Sequence, residues 1–404
     1  MSISRVQVNE LRQLDEGAWT AILRQVPALD GATVRDVVVE PLNDHSLARY
    51  LLTVDGVSDP VPLVGKRTNR REAGFYRDHA PRLRRLVPRC LLQHISHDWS
   101  WVVLQDVPRH RLPVRWSAED VEKVIAVLAS FHGAYWQQEA QLRRTEWLAV
   151  EPVDEESGYY VEQVWRVWDR LSGHLSPLSS HAMHSAGRLA PTFIRAAVGL
   201  EVMRQLGGWP GIVERRHLDA LADLLDDPLP VLHPLRELPA TLLHGNPSLD
   251  HWHHTLFDDC FLLDWAGVSV GAPILDLVVF LESMERLHTQ PRAGLAASAA
   301  GAAPIAEETM VDSYLLRLHI GLEEFDARAM RQALPAARCL YVLTHWLPRL
   351  GEWFHPFVGS PLTWRHLNEL DAAGLRRAGF DQLVGLRSYL ADLFVRFWYA
   401  SKQL

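Results

Sequence analysis

Between residues 241 and 282 the chain gathers side chains that can do chemistry: TLLHGNPSLDHWHHTLFDDCFLLDWAGVSVGAPILDLVVFLE. A strand-like run ends in His244-Gly245, and a polar loop through Asn246 and Asp250 feeds a hairpin. The second arm of that hairpin ends on Asp264-Trp265, and a loop carrying Gly267 and Gly271 leads to a helix start with Asp276. Carboxylates at strand ends and loop mouths are open to a ligand yet rigidly mounted, which suits metal binding or acid–base work. Asp264 and Asp276 are equally suited to capping a turn and a helix, the commonest use of aspartate. His244, Asp250, His251, His253 and His254 put five potential ligands within 11 residues, enough for a hydrolytic metal centre. Against that reading, adjacent residues 253 and 254 point to opposite faces of an extended strand. No helical His-x-x-x-His or cysteine ligand supports them, and a chain with 20 histidines is expected to crowd them somewhere.

A second oddity is compositional. Of 41 basic residues only Lys66, Lys123 and Lys402 are lysines; 38 are arginines. An ammonium is a compact point charge and a guanidinium a rigid planar fork, so a lysine kept at an interior position invites a reason. Codon bias with three survivors is the plain alternative. Lys66 ends a predicted strand six residues before Glu72, whereas Lys123 falls on a helix face and Lys402 at the C-terminus.

The totals bound the function classes. The chain has 404 residues, 48% hydrophobic and 22% charged, an ordinary globular composition with material for two or three structural units. A net charge of −8 argues against a general nucleic-acid binder, which needs a basic face. Cys90, Cys260 and Cys339 are scattered and odd in number, implying neither a disulfide framework nor a cysteine zinc site. With no apolar leader-like run near the start and no uncharged apolar stretch near membrane-spanning length, a cytoplasmic protein without membrane association is expected.

The elements that must position these residues follow from periodicity. Val34–Val39, Leu47–Val54, Val61–Lys66, Cys90–Ile95 and Trp101–Leu104 read as strands, with turns at Asp55-Gly56 and His97–Ser100. Residues 70–86 read as a basic helix. From Pro108 onward the texture is helical: Ser117 with Asp120 forms a capping-box-like start, and residues 159–171, 189–206 and 215–225 continue the pattern. Strand character returns at 240–244, 254–257 and 261–265, a hairpin expected to lie within the helical part. After Asp276 the chain reads as helix, interrupted by a small-residue linker, Ala293–Pro304. The expected fold class is α+β and two-lobed, with a small antiparallel-sheet lobe at 1–107 and a large helical lobe at 108–404 holding the 241–282 hairpin.

This arrangement resembles the aminoglycoside phosphotransferase and choline kinase family, a branch of the protein-kinase-like fold. The family carries His-Gly-Asp-x-x-x-x-Asn, an Asp-Trp or Asp-Phe about 13 residues later, and Gly-x-Pro-x-x-Asp-Leu. His244-Gly245, Asp264-Trp265 and Gly271 to Leu277 match, and LASFHGAYW at 128–136 is similar to the family's LA-x-x-H-x-x-W helix. The likeness spans roughly residues 34 to 345. It implies ATP or GTP with Mg²⁺ as cofactors and a small-molecule hydroxyl as the acceptor. It implies that Lys66 contacts the α- and β-phosphates with Glu72 as its partner, and that Gln105-Asp106-Val107-Pro108 is a hinge for the base. It further implies that Asp264 holds Mg²⁺ and that Asp276 braces the catalytic loop from beneath.

The departures matter as much. The catalytic aspartate position is Asn246, which cannot accept a proton, a service worth roughly 10²–10⁴-fold in rate. Asp250, in the same loop, is a candidate replacement, and His244 completes the catalytic set. The second metal position is His251 where the family has Asn, and imidazole suits transition metals better than Mg²⁺. No glycine-rich loop stands between the first two strands, where the chain reads Leu42-Asn43-Asp44-His45-Ser46-Leu47. The loss of base, metal ligand and glycine loop together also describes a pseudokinase, which binds nucleotide or metabolite without turnover. Tryptophans of the helical part, Trp136, Trp147, Trp209, Trp346, Trp353 and Trp364 among them, serve as core fillers or as aromatic platforms for an acceptor.

Overall fold

The computed structural model describes residues 14–24, 26, 29–42, 46–95, 100–107, 109–150, 178–289, 305–380 and 383–404. The turn at His97–Trp99, Asn43–His45 of the loop without glycine, Pro108 of the hinge, the helix expected at 159–171 and the linker from Ala293 to Pro304 lie outside the described residues. The chain divides into two compact units, Met1–Trp116 with Asp250–Val268, and Ser117–Leu249 with Ser269–Leu404. The structure is α+β, with an antiparallel sheet in the first unit and mostly helices in the second. The division differs from a single cut after residue 107, and the physical reason is the hairpin.

The strands in chain order are β1 (Val34–Pro41), β2 (Leu47–Val54), β3 (Val61–Thr68), β4 (Cys90–Ile95), β5 (Ser100–Gln105), β6 (His110–Arg111), β7 (Ala149–Val150), β8 (Thr241–Leu243), β9 (Trp252–Thr255), β10 (Cys260–Leu262) and β11 (Ser269–Gly271). The hairpin β9–β10 pairs with β6 in the order β10-β9-β6, so its backbone hydrogen bonds are completed in the first unit rather than among the helices. The main sheet runs β1-β2-β3-β5-β4, antiparallel throughout.

Period-2 alternation on β2 explains both faces of that sheet. Ala48, Tyr50, Leu52 and Val54 are buried, and they pack with Trp19, Ile22 and Leu23 of a helix α1 (Glu16–Leu23). Leu47, Arg49 and Leu51 point the other way, into a cavity described below. The helix α1 was not anticipated; its Asp15 cap accepts from the Ala18 N–H at 2.7 Å, and Trp19 lies 4.7 Å from Tyr50 ring to ring. Helix α2 (Arg70–Asp78) stops short of the expected residue 86. Pro81 lacks the N–H to continue it and disfavours helical backbone at Ala80, so a 3₁₀ turn over Ala80–Arg82 follows.

The second unit holds the helices α3 (Ala118–Ala134), α4 (Ala190–Gln205), α5 (Ile274–Thr289), α6 (Glu307–Gly321), α7 (Leu347–Phe354) and α8 (Leu386–Ser401), together with shorter ones. The capping box read at Ser117 is present: the Ser117 hydroxyl accepts from the Asp120 N–H, and Asp120 returns the bond to the Ser117 N–H at 2.8 Å. A small sheet, β7-β11-β8, sits among these helices. Before α7 the backbone widens into a π-turn at Val342–Trp346, where Thr344 Oγ1 donates back to the Leu340 carbonyl at 2.8 Å. No helix among the described residues is long and apolar enough to cross a membrane.

Helices α4 and α7 meet through two glycines. A Cβ on Gly199 would collide with the Leu347 carbonyl oxygen, and one on Gly351 would sit 2.7 Å from the Gly199 Cα. Gly199→Ala and Gly351→Ala should each lower stability by about 1–3 kcal/mol in urea unfolding, while Gly321→Ala, with nothing within 4 Å, should leave it unchanged or slightly raised. Burial, reinforced by Arg349, pulls the His345 imidazole from 6.5 down to about 4. Across that window the unfolded chain binds a proton that the folded chain refuses, so stability falls as pH drops. In His345→Leu the slope of stability against pH should be shallower between those limits.

Candidate functional site

The first unit builds its polar centre on Glu72, which is fully buried. The short link from β3 to α2 works because Asn69 caps the helix, its Oδ1 accepting from the Glu72 N–H at 3.0 Å. That puts Glu72 on the first turn, facing the end of β3. Lys66 Nζ lies 2.7 Å from Glu72 Oε2, and the Thr68 hydroxyl donates to the same oxygen. The other oxygen, Oε1, accepts from the Trp265 N–H at 3.2 Å. Lys66 also reaches Asp264 Oδ1 at 2.5 Å. Burial pulls the Lys66 pKa down, but the carboxylates of Glu72 and Asp264 outweigh it, so the ammonium titrates above its ordinary value and stays cationic.

Asp264 itself is 42% exposed in its side chain and stands in left-handed backbone, φ 64° and ψ 66°. Aspartate tolerates that region better than most residues. Its conformation is set from both sides: Leu262 pairs with Trp252 at the end of the hairpin, and the Leu263 N–H donates to the His251 carbonyl at 2.9 Å. On the far side Trp265 stacks on Phe75 of α2, centroids 3.8 Å apart and planes 8° from parallel, and donates from Nε1 to the Leu262 carbonyl at 2.9 Å. The hairpin end therefore brings His251 Nε2 to 3.3 Å from Asp264 Oδ2.

Lys66, Glu72 and Asp264 line a cavity of about 990 Å³, whose walls include Leu51, Val64, Leu104 and Leu263. That volume and mixture of apolar walls with a charged end suits a drug-sized ligand with an anionic tail. Gln105, Asp106 and Val107 also line it. The Gln105 N–H is committed to the Arg89 carbonyl at 2.8 Å and the Asp106 N–H to Pro62 at 3.4 Å. Arg49, from the cavity face of β2, holds Asp106 Oδ2 with its Nε at 2.8 Å.

The second unit organises its polar loop around a different buried carboxylate. Asp276, on the first turn of α5, accepts the His244 N–H at 2.7 Å and the Gly245 N–H at 2.9 Å. Gly245 has φ 85°, backbone that a side chain would strain. His132 Nε2 lies 3.2 Å from Asp276 Oδ2, and its Nδ1 lies 2.7 Å from the Tyr314 hydroxyl. The consistent assignment is that His132 donates from Nε2 to the carboxylate and accepts from Tyr314. Burial raises the Tyr314 phenol well above its ordinary range, and the Asp276 charge adds to it. The Thr241 hydroxyl fixes the His132 carbonyl at 2.7 Å.

Of the residues singled out from sequence, Lys66, Glu72, Gln105, Val107 and Asp264 lie around one cavity, and His251 touches Asp264. His244 and Asn246 lie in the second unit. His244 is fully buried, and its Nδ1 accepts the Asn246 N–H at 3.3 Å, so it holds the loop's backbone. Asp250 opens the first unit's returning segment in an exposed 3₁₀ turn. The five-ligand metal centre does not form: among the described residues no group of three or more His, Cys, Asp or Glu is placed to hold a metal ion. Sequence reasoning missed the roles of His132, Tyr314 and Arg49. His132 was within reach, as the histidine of the LASFHGAYW match on α3; Tyr314 and Arg49 carried no local signal.

Set against known proteins, no family model and no curated protein matches the chain. Among solved structures it is similar to a Ralstonia eutropha protein named as an aminoglycoside phosphotransferase, at 15% identity and a TM-score of 0.45, covering 96% of this chain and 98% of that one. It is also similar to an amicoumacin kinase in complex with AMP-PNP and Ca²⁺, at 13% identity and a TM-score of 0.44, covering 87% and 89%. A third is the choline kinase LicA from Streptococcus pneumoniae, at 11% identity and a TM-score of 0.41, covering 93% and 99%.

The Asp276 network makes a graded prediction for unfolding in urea. Tyr314→Phe should cost about 1 kcal/mol, and His132→Phe, which strips a donor from a buried carboxylate, roughly 1–3 kcal/mol. The double variant should cost less than their sum, because both act through one chain of hydrogen bonds.

Proposed function

We propose that the chain binds a purine nucleoside triphosphate, ATP or GTP, with a divalent cation in the first unit, and transfers phosphoryl groups to a hydroxyl of a small molecule. The observation that carries this is the cluster of Lys66, Glu72 and Asp264 at one end of a largely apolar cavity. A flat base suits the walls of Val64, Leu104 and Leu263, with the backbone at Gln105 to Val107 along its edge. Lys66, held cationic by its two carboxylates, is positioned to meet phosphate oxygens. Asp264 offers carboxylate oxygen for the cation, whose bound charge would offset that of the phosphates. The donor set fits magnesium at Asp264 and fits it poorly at His251.

In the sequence motif it is Asn246, in the loop of the second unit, that stands where the resembling family carries its base. An amide oxygen there would accept a hydrogen bond and orient a hydroxyl without deprotonating it. Phosphoryl transfer relies chiefly on positioning and electrostatics, so a slow enzyme is the better-supported reading. The same substitution supports a second reading, a pseudokinase that binds nucleotide without turnover.

Nucleotide binding is the first test. ATP or GTP with a divalent cation at millimolar concentration should raise the melting temperature, and no shift with either would remove both readings. Lys66→Arg should weaken nucleotide binding at least tenfold despite keeping the charge, because a bidentate fork engaged by Glu72 and Asp264 presents its charge to a phosphate differently from a compact ammonium. Asn246→Asp should raise turnover by about 10²-fold or more if transfer occurs at all. Asp250, exposed in the same loop, is open to an acceptor: Asp250→Asn should abolish turnover if Asp250 serves as the base, and unchanged turnover would remove it from that role.

A further inference from the structure

We propose that the Asp106 carboxylate reads the base of the nucleotide and selects guanine over adenine, making GTP the phosphoryl donor. The inference rests on the nucleotide-binding reading above and names its base. It starts from an ion pair that phosphoryl transfer itself does not use. On the cavity face of β2, the Arg49 guanidinium stands between two acids that line the same cavity. Its Nε lies 2.8 Å from Asp106 Oδ2 and its Nη1 3.7 Å from Glu40 Oε2. Glu40 is opposite Arg49 in the β1–β2 register, and Asp106 directly follows the last residue of β5. Arg49 thus fixes one oxygen of Asp106, and the other, Oδ1, meets no donor among the described residues.

Register puts this carboxylate where the edge of a base falls. Lys66, the phosphate-binding residue of that reading, lies on β3 four residues from Pro62, about 13 Å along the strand. The Pro62 carbonyl accepts the Asp106 N–H at 3.4 Å, so the acid stands at the far end of that span. Val64 and Leu104, paired across the sheet between the two ends, offer apolar wall to a flat ring. The Gln105 N–H is bonded to the Arg89 carbonyl, so two backbone donors that could serve the acceptor nitrogen N1 of adenine are already committed. A carboxylate accepts hydrogen bonds and donates none. Guanine turns two adjacent donors outward, N1–H and the 2-amino group, which Oδ1 and the second lone pair of Oδ2 can take together. Adenine sets a single amino donor beside the lone pair of N1, and that lone pair repels an acidic oxygen.

The test measures binding of non-hydrolysable triphosphate analogues of guanosine, inosine, xanthosine and adenosine to the full chain by calorimetry with Mg²⁺. The wild type should bind the guanosine analogue at least tenfold more tightly than the adenosine analogue. Inosine, which lacks the 2-amino group, should fall between them. Asp106→Asn replaces one acceptor by an amide donor, which suits the 2-carbonyl of xanthine. That variant should lose its preference for guanine and bind the xanthosine analogue at least tenfold more tightly than the wild type does, a gain that a damaged fold does not produce. An adenosine analogue bound as tightly as guanosine by the wild type would overturn guanine selection and leave the nucleotide reading standing. A base preference unaltered in Asp106→Asn would overturn the role of Asp106. Should Asp106→Asn fail to fold, the wild type decides, because inosine bound as tightly as guanosine would overturn the proposal. Failure of every analogue to bind would instead bring down the nucleotide reading, and this proposal with it.

Discussion

A carboxylate with no water around it has to be answered by donors, and Glu72 is such a group. An ionised side chain in a protein interior loses several kcal/mol of hydration unless hydrogen bonds and an opposite charge replace it. Lys66 and Thr68 from the end of β3, and the backbone amide of Trp265 from a segment nearly two hundred residues away, supply what Glu72 needs. Each partner is thereby fixed. The ammonium is held where it also meets Asp264, and the turn after β10 is drawn against α2, where Trp265 stacks on Phe75. The left-handed backbone at Asp264 follows from the same demand, because the chain must turn sharply to present the amide of Trp265 inward and the carboxylate of Asp264 outward.

The second unit repeats this logic with different parts. Asp276 answers two amides of the loop at His244-Gly245 and is answered in turn by His132, itself tied to Tyr314. In both units a buried acid organises backbone rather than reacting, and the groups left facing outward are the ones available to a ligand. That division explains how Asn can stand at position 246 without loss of the loop: what holds the loop is Asp276 and Gly245, and position 246 contributes its amide N–H to His244 whatever its side chain.

Much of this was legible in the amino-acid order, where the physics is local. β2 and β4 have the bounds their alternation implies, and the capping box at Ser117 forms as written. The resemblance to the phosphotransferase family implied the cluster of Lys66, Glu72 and Asp264, with a rare lysine, a following glutamate and an Asp-Trp pair as the residues that carried it. Non-local physics left none. Helix α1 is a short segment whose apolar residues matter only because β2 offers Tyr50 and Leu52 to cover. The hairpin at 252–262 looked like part of the helical region because its neighbours in sequence are helical, whereas its edge is satisfied by β6. Tyr314 and Arg49 look like any aromatic and any arginine until the groups they touch, His132 and Asp106, are brought to them.

The discontinuity of the first unit has a consequence for how the molecule is made. Its sheet is encoded at the start of the chain, but Asp250–Val268 arrives only after the helices between have been synthesised. Until then a nascent chain carries Glu72 without its Trp265 amide and β6 without its neighbour β9, a high-contact-order closure that local folding cannot complete. A fragment ending near residue 116 would expose that open edge and an unanswered carboxylate. The first unit, with its Lys66–Glu72–Asp264 cluster, is thus a property of the whole chain, and cutting it out as a separate module would not recover it.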